Sequence, residues 1–244
     1  QVNIMLGATQ SRSDESMPII QSLKEFAPGR VSKRFQVSDS WDAYWIAPPN
    51  EDPECELLVN SFLRPEDTQE LGVFRYWGEQ GWIDIPALRP YALKTERPRR
   101  NIGGTSNAFP IWRTQVVPGD APHQIDLPIQ SSWNTVFSGI EFHLHSLGNP
   151  LEMRRFTLGS EASVRKNQGR DNFDQEIRFV REDEEGDTTP VALGFASDVD
   201  AILFKITLPK TLKDHCIRDP QLLRGLRTSF FKDRLQENSD LPRR

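Results

Sequence analysis

Hydrophobic and polar positions alternate along much of this chain with the period of a β-strand. The cleanest case is residues 140–145, where Ile140, Phe142 and Leu144 fall on one face and Glu141, His143 and His145 on the other. Residues 191–195 and 201–208 are two apolar runs set apart by Ser197-Asp198-Val199-Asp200. β-Branched and aromatic residues dominate the second run, and Pro209 stops it. Further strands are predicted at residues 31–37, 41–46, 57–63, 111–117, 125–127, 153–158 and 176–180. Residues 73–78 and 81–86 predict a hairpin around a glycine-bounded turn. Arg64-Pro65-Glu66-Asp67 predicts a turn, and residues 166–174 and 181–189 predict exposed loops.

Two segments take the helical period instead. Ser16 is placed to cap a short helix, with Pro18 in its first turn and Ile19, Ile20 and Leu23 on one side. Phe26 closes it, and the chain leaves through Ala27-Pro28-Gly29, where proline fixes one backbone angle and glycine permits a sharp turn. Near the end, Asp219 can cap a second helix that starts at Pro220 and carries Leu222, Leu223, Leu226, Phe230, Phe231 and Leu235. The expectation is an α+β fold that is mostly β. Short strands make one or two sheets or barrel-like modules, and an amphipathic helix ends the chain. Charge and proline content shift near residues 95–110. This divides the chain into a β-rich module over 1–95, following the helix corner, and a second over 96–244 with the terminal helix.

Composition narrows the class. The 244 residues are 36% hydrophobic and 27% charged, and 18 prolines and 15 glycines argue for loops and short elements over a helical bundle. The net charge of -5 gives no global nucleic-acid signal, so local charge has to carry any such reading. Cys55 and Cys216 form no CxxC pair, which excludes a four-cysteine zinc module and fits a reduced intracellular chain with two free thiols. No apolar run approaches the roughly 18 residues of a membrane span, and no secretory apolar segment opens the chain. Because the sequence starts at Gln1, it is expected to be a piece of something longer or a processed product.

Catalytic signatures are sparse. There is no Gly-x-x-x-x-Gly-Lys-Ser/Thr phosphate cradle, and Gly103-Gly104-Thr105 reads as a turn. Neither Ser138-Gly139 nor Gly159-Ser160 makes a Gly-x-Ser-x-Gly elbow, and His215 and Cys216 point apart on an extended chain. Glu141, His143 and His145 are the candidate metal ligands. On one strand all three share a face, within reach of a single zinc, with His123 and His215 reachable only through the fold. A polar outer face on a half-buried strand explains the same pattern.

Charge is segregated more sharply than chemistry. Arg89, Lys94, Arg97, Arg99, Arg100 and Arg113 stand against the single acid Glu96, and Arg154, Arg155, Arg165, Lys166 and Arg170 against Glu161. Residues 51–84 and 182–187 are acidic. Guanidinium groups with Tyr91, Phe109 and Trp112 nearby suit phosphate contact and base stacking. Arg97, Arg99, Arg100, Arg154 and Arg155 are the candidate phosphate contacts. The plain alternative is a solvated loop or a basic face docked on an acidic neighbour.

The corner Leu23-Lys24-Glu25-Phe26-Ala27-Pro28-Gly29 and the later Pro190-Val191-Ala192-Leu193-Gly194-Phe195-Ala196-Ser197-Asp198-Val199-Asp200-Ala201-Ile202-Leu203 carry a resemblance, with Leu223-Arg224 and Leu226-Arg227 after them. They resemble the accessory region of large bacterial DEAD/DEAH-box-like helicases of the DISARM, Dpd and Druantia defence systems and of mitomycin repair. The absence of a four-cysteine cluster favours the defence branch or a zinc-less relative. The resemblance implies a cytoplasmic accessory segment of an ATP-dependent DNA translocase, docked on helicase core domains or a partner subunit, with DNA as a further partner. No cofactor is expected in this segment; ATP and magnesium would belong to the parent helicase upstream. Two rivals stand beside it. One is a protein-interaction scaffold using the acidic block at 51–70 and the tryptophans, and the other is a metal-dependent enzyme using His143 and His145.

Overall fold

A computed structural model describes residues 1–7, 15–35, 43–78, 81–120, 122–126, 137–167, 172–183, 185–206 and 225. The described residues are mostly β, with one α-helix, as the sequence pattern implies. Two compact units emerge. The first comprises Gln1–Tyr76, Asp84–Val117 and Glu152–Asp198, and the second Trp77–Ile83, Pro118–Leu151 and Val199–Arg244. Apart from Gly225, the sequence expected for a C-terminal helix lies outside the described residues, as do Arg170, His215 and Cys216.

In the first unit, β1 (Val2–Leu6) pairs antiparallel with β2 (Glu15–Met17). Helix α1 (Ile19–Glu25) follows. Ser16 does not cap it. That residue is paired with Asn3 in the sheet, and Pro18, extended at ψ 142°, is the N-cap. Met17, immediately before Pro18, is biased to extended backbone by the proline ring, which keeps this entry in the strand. Ser22 Oγ donates back to Pro18 O at 3.1 Å. Leu23 is buried but Ile20 is half exposed, so the helix buries a narrower stripe than its sequence implies.

β3 (Glu54–Leu58) lies earlier than the predicted 57–63 strand, because the chain turns into a 3-10 segment at Val59–Ser61. β4 (Thr68–Gly78) and β5 (Gly81–Pro90) are the expected hairpin, and Pro65–Asp67 is the expected turn. β6 (Ala92–Thr95) takes Lys94 out of the basic loop and pairs it with Met5 of β1. Then come β7 (Asn107–Val117), β10 (Leu151–Val164), β11 (Phe173–Glu182), β12 (Thr188–Pro190) and β13 (Ala192–Val199), with β8 (His123–Ile125) and β9 (Phe137–His143) belonging to the second unit. The large sheet runs β12-β11-β10-β13-β5-β4, with β3 added to β11 and β7 to β10. It curls as a half-barrel, so that Phe74 on β4 meets Phe156 on β10 with ring centroids 5.3 Å apart.

The predicted corner locks onto β10. Gly29 sits at φ +88°, and its N–H donates to Ile46 O at 3.0 Å. Ser160 Oγ donates to Pro28 O at 2.8 Å. A Cβ on Gly29 would stand 2.5 Å from the Ala162 Cβ. β10 bends to receive the corner. Its register against β7 shifts between Thr157 and Ser160, where Gly159 at φ +147° passes so close to β11 that a Cβ would lie 1.8 Å from Ile177 O.

The second unit holds β8 (His123–Ile125), β9 (Phe137–His143) and β14 (Ala201–Ile206), ordered β14-β9-β8 and antiparallel throughout. The two apolar runs of the final sheet signal therefore go to different sheets. The alternation of β9 is real, but its polarity is reversed: Glu141 and His143 are buried, whereas Ile140 and Phe142 are only half-buried.

Gly29→Ala is expected to lower stability by on the order of 2–4 kcal/mol, combining positive-φ strain with overpacking against Ala162. The urea midpoint should fall at constant slope, and adding Ala162→Gly should restore part of the loss. A Gly29→Ala variant as stable as the parent would contradict the close approach.

Candidate nucleic-acid interface

The two basic segments of the sequence meet in the first unit. The loop that follows β6 begins at Glu96, which exchanges backbone hydrogen bonds of 2.9 and 3.0 Å with Trp45. It ends at Ser106, a buried residue. Between them the backbone is stapled to the segment leaving β10. Gly103 N donates to Arg165 O at 2.6 Å, Asn167 N to Asn101 O at 2.9 Å, and Asn167 Nδ2 to Arg100 O at 2.6 Å. Ile102 and Lys166 form an antiparallel bridge. The Ser106 hydroxyl accepts from Arg165 N at 2.9 Å and donates toward Gly103 O at 2.8 Å.

This staple fixes the backbone that carries Arg97, Arg99 and Arg100, whose side chains are exposed, and sets Arg165 and Lys166 beside it. Lys33 joins them from the far side of the corner: its Nζ lies 3.1 Å from where a Gly104 Cβ would stand. Two of these cations are partly neutralised, Lys166 by Glu51 at 2.9 Å and Arg165 by Asp174 at 3.9 Å. Among the described residues, no ion pair engages Lys33, Arg99 or Arg100. Such a fixed cluster of cations presents charge to an anion with little further ordering of backbone.

Arg154 and Arg155 are elsewhere. As neighbours on β10 they leave opposite faces of the sheet. Arg154 stacks over Phe74 at 5.0 Å, donates Nε to Glu152, and reaches Val73 O at 3.4 Å. Arg155 stacks over Trp112 at 4.9 Å and donates to Thr114 Oγ1 at 2.5 Å. Both guanidiniums hold the sheet together and stand apart from the stapled loop. Lys33 and Ser106 were not singled out in the sequence. Lys33 carries no local signal, whereas Ser106 closes the Gly103-Gly104-Thr105 turn and could have been suspected from it.

Glu141, His143 and His145 do not converge as the strand pattern implied. β9 ends at His143, so His145 falls on a 3-10 turn, where Asp200 Oδ1 accepts its backbone N–H at 2.7 Å and lies 2.8 Å from its ring Nδ1. Glu141 is buried and bound by Lys205 Nζ and by Gln124 Nε2 at 3.2 Å. His143 is fully buried, with neither ring nitrogen partnered among the described residues. Among the described residues no group of three or more His, Cys, Asp and Glu gathers as a metal-ligand set, and no helix is long and apolar enough to cross a membrane. Compared with protein-family models, curated proteins and solved structures, the chain matches none.

Two predictions come from these geometries. Ser106→Ala leaves the Arg165 N–H without its acceptor and should cost about 1–3 kcal/mol in chemical denaturation; no loss would mean the hydroxyl is not a structural node. The hydrogen bond from Lys205 holds the Glu141 carboxyl below the usual glutamate range, against the opposing pull of burial. The ionised carboxylate is therefore the form the fold favours. Its contribution is whole above the unfolded-state range and is lost as pH falls through the lowered folded value. Glu141→Gln should flatten the acid limb of stability against pH; an unchanged limb would contradict the assignment.

Proposed function

We propose that the first unit is an accessory module that grips the phosphate backbone of nucleic acid through the stapled loop, with Arg97, Arg99, Arg100, Lys33 and Arg165 as the contacts. The single observation that carries this reading is the union of two distant basic segments on one hydrogen-bonded backbone. The grip is electrostatic and reads no sequence, because cations meeting phosphates carry affinity and not base identity. Taken with the helicase resemblance, the module guides DNA for, or docks a subunit onto, an ATP-dependent translocase of bacterial anti-phage defence in the cytoplasm. ATP and magnesium would be handled by other domains of that assembly. The rival, a protein-interaction scaffold without DNA contact, draws on one observation. Trp82 is 67% exposed and packs edge-to-face with Trp77, ring centroids 5.2 Å apart, near the tip of the β4–β5 hairpin, and exposed tryptophans of this kind suit protein interfaces.

Fluorescence anisotropy with DNA of unrelated sequences across a salt series separates the two. Arg99→Glu with Arg100→Glu should weaken binding uniformly. It should also reduce the slope of log affinity against log salt by about one for each cation that no longer meets a phosphate. Unchanged affinity and slope would remove the nucleic-acid role and leave the scaffold.

A further inference from the structure

A cavity of about 370 Å³ opens on the first unit between residues 45–49, β3 and the end of β6. That volume is at the lower end of the range of roughly 300–1,000 Å³ that holds small ligands. Trp45, Pro48, Leu57 and Phe62 line it with apolar surface, and Lys94 supplies one positive charge against the two acids Glu96 and Glu56, the latter also accepting from Thr188 Oγ1 at 3.2 Å. Trp45 Nε1 is buried with no acceptor among the described residues. Lys94 and Glu96 are exposed, and among the described residues neither side chain has an ion-pair partner. Although they stand two positions apart at the end of one strand, they do not neutralise each other. The walls are held by main-chain bonds, with Lys94 N donating to Phe62 O at 2.8 Å and Trp45 and Glu96 bonded reciprocally.

We propose that this cavity is a binding site for an apolar α-amino acid in its free, zwitterionic form. The ligand's side chain fills the space between Trp45, Pro48, Leu57 and Phe62, its carboxylate meets Lys94, and its ammonium meets Glu96. A ligand with only an ammonium leaves Lys94 unpaired, and one with only a carboxylate leaves Glu96 and Glu56 unpaired. The apolar walls favour an apolar side chain through the surface that they remove from water. The site stands apart from the phosphate reading, since none of the arginines of the stapled loop lines it.

Isothermal titration of the whole chain with L-leucine, N-acetyl-L-leucine and L-leucinamide tests this. Leucine should bind saturably, one per chain, and each single-charge analogue about tenfold more weakly. Lys94→Met should abolish the preference for leucine over leucinamide, and Glu96→Gln the preference over N-acetyl-leucine. The Trp45 indole N–H resonance should shift on leucine addition, a readout that needs no variant. No saturable binding of leucine, equal binding of all three probes, or binding that leaves the Trp45 resonance unmoved would each overturn the proposal.

Discussion

The buried hydroxyl of Ser106 is the point on which the first unit's surface depends. It accepts the Arg165 N–H and donates to the Gly103 carbonyl, while its own backbone carbonyl accepts the Val31 N–H at 3.2 Å. Three segments meet there: the strand side of the helix corner, the basic loop, and the chain leaving β10. A buried hydroxyl with both roles filled is inexpensive; its removal orphans the Arg165 N–H, whereas Gly103 O keeps the Ser106 backbone N–H at 3.0 Å. The direction in which the arginines are offered follows from a neutral residue.

That node is placed by two backbone contacts deeper in the unit. Gly29 lets the corner settle against Ala162, and Ser160 ties the corner's carbonyl to β10. Gly159 lets β10 shift register at the same level. The bend comes a few residues before β10 ends at Val164, so it sets where Arg165 emerges. Core packing around Phe26, Ala162 and Ile177 then supports the position of a surface cation cluster.

Local punctuation was the most readable part of the sequence. Pro28-Gly29 announces the corner, the glycines around residues 78–81 announce the hairpin, and Pro65 announces the turn, because each residue acts through its own backbone. Alternation was legible as a period but not as a polarity. Residues 140–145 present an apolar and a polar face, and only the partners decide which is buried: Lys205 and Gln124 satisfy Glu141, so its face turns inward. In the candidate site, Arg97, Arg99 and Arg100 could be read from a run of like charge. Their union with Arg165 could not, since it rests on hydrogen bonds between residues about 60 apart, nor could the approach of Lys33 to Gly104, which the fold alone creates. Arg154 and Arg155 are the opposite case. A charged pair looks exposed in sequence, whereas here each guanidinium lies on an aromatic ring and spends its donors within the sheet.

The basic loop is held as a fixed extension of the sheet and is not a solvated tether. Amide hydrogen exchange at Gly103 and Asn167 reports on this, because both N–H groups are donors across the staple. Slow exchange is expected, rising together with that of Arg165 as stability is lowered. Exchange at the rate of an open loop, in a chain whose β10 amides remain protected, would contradict it.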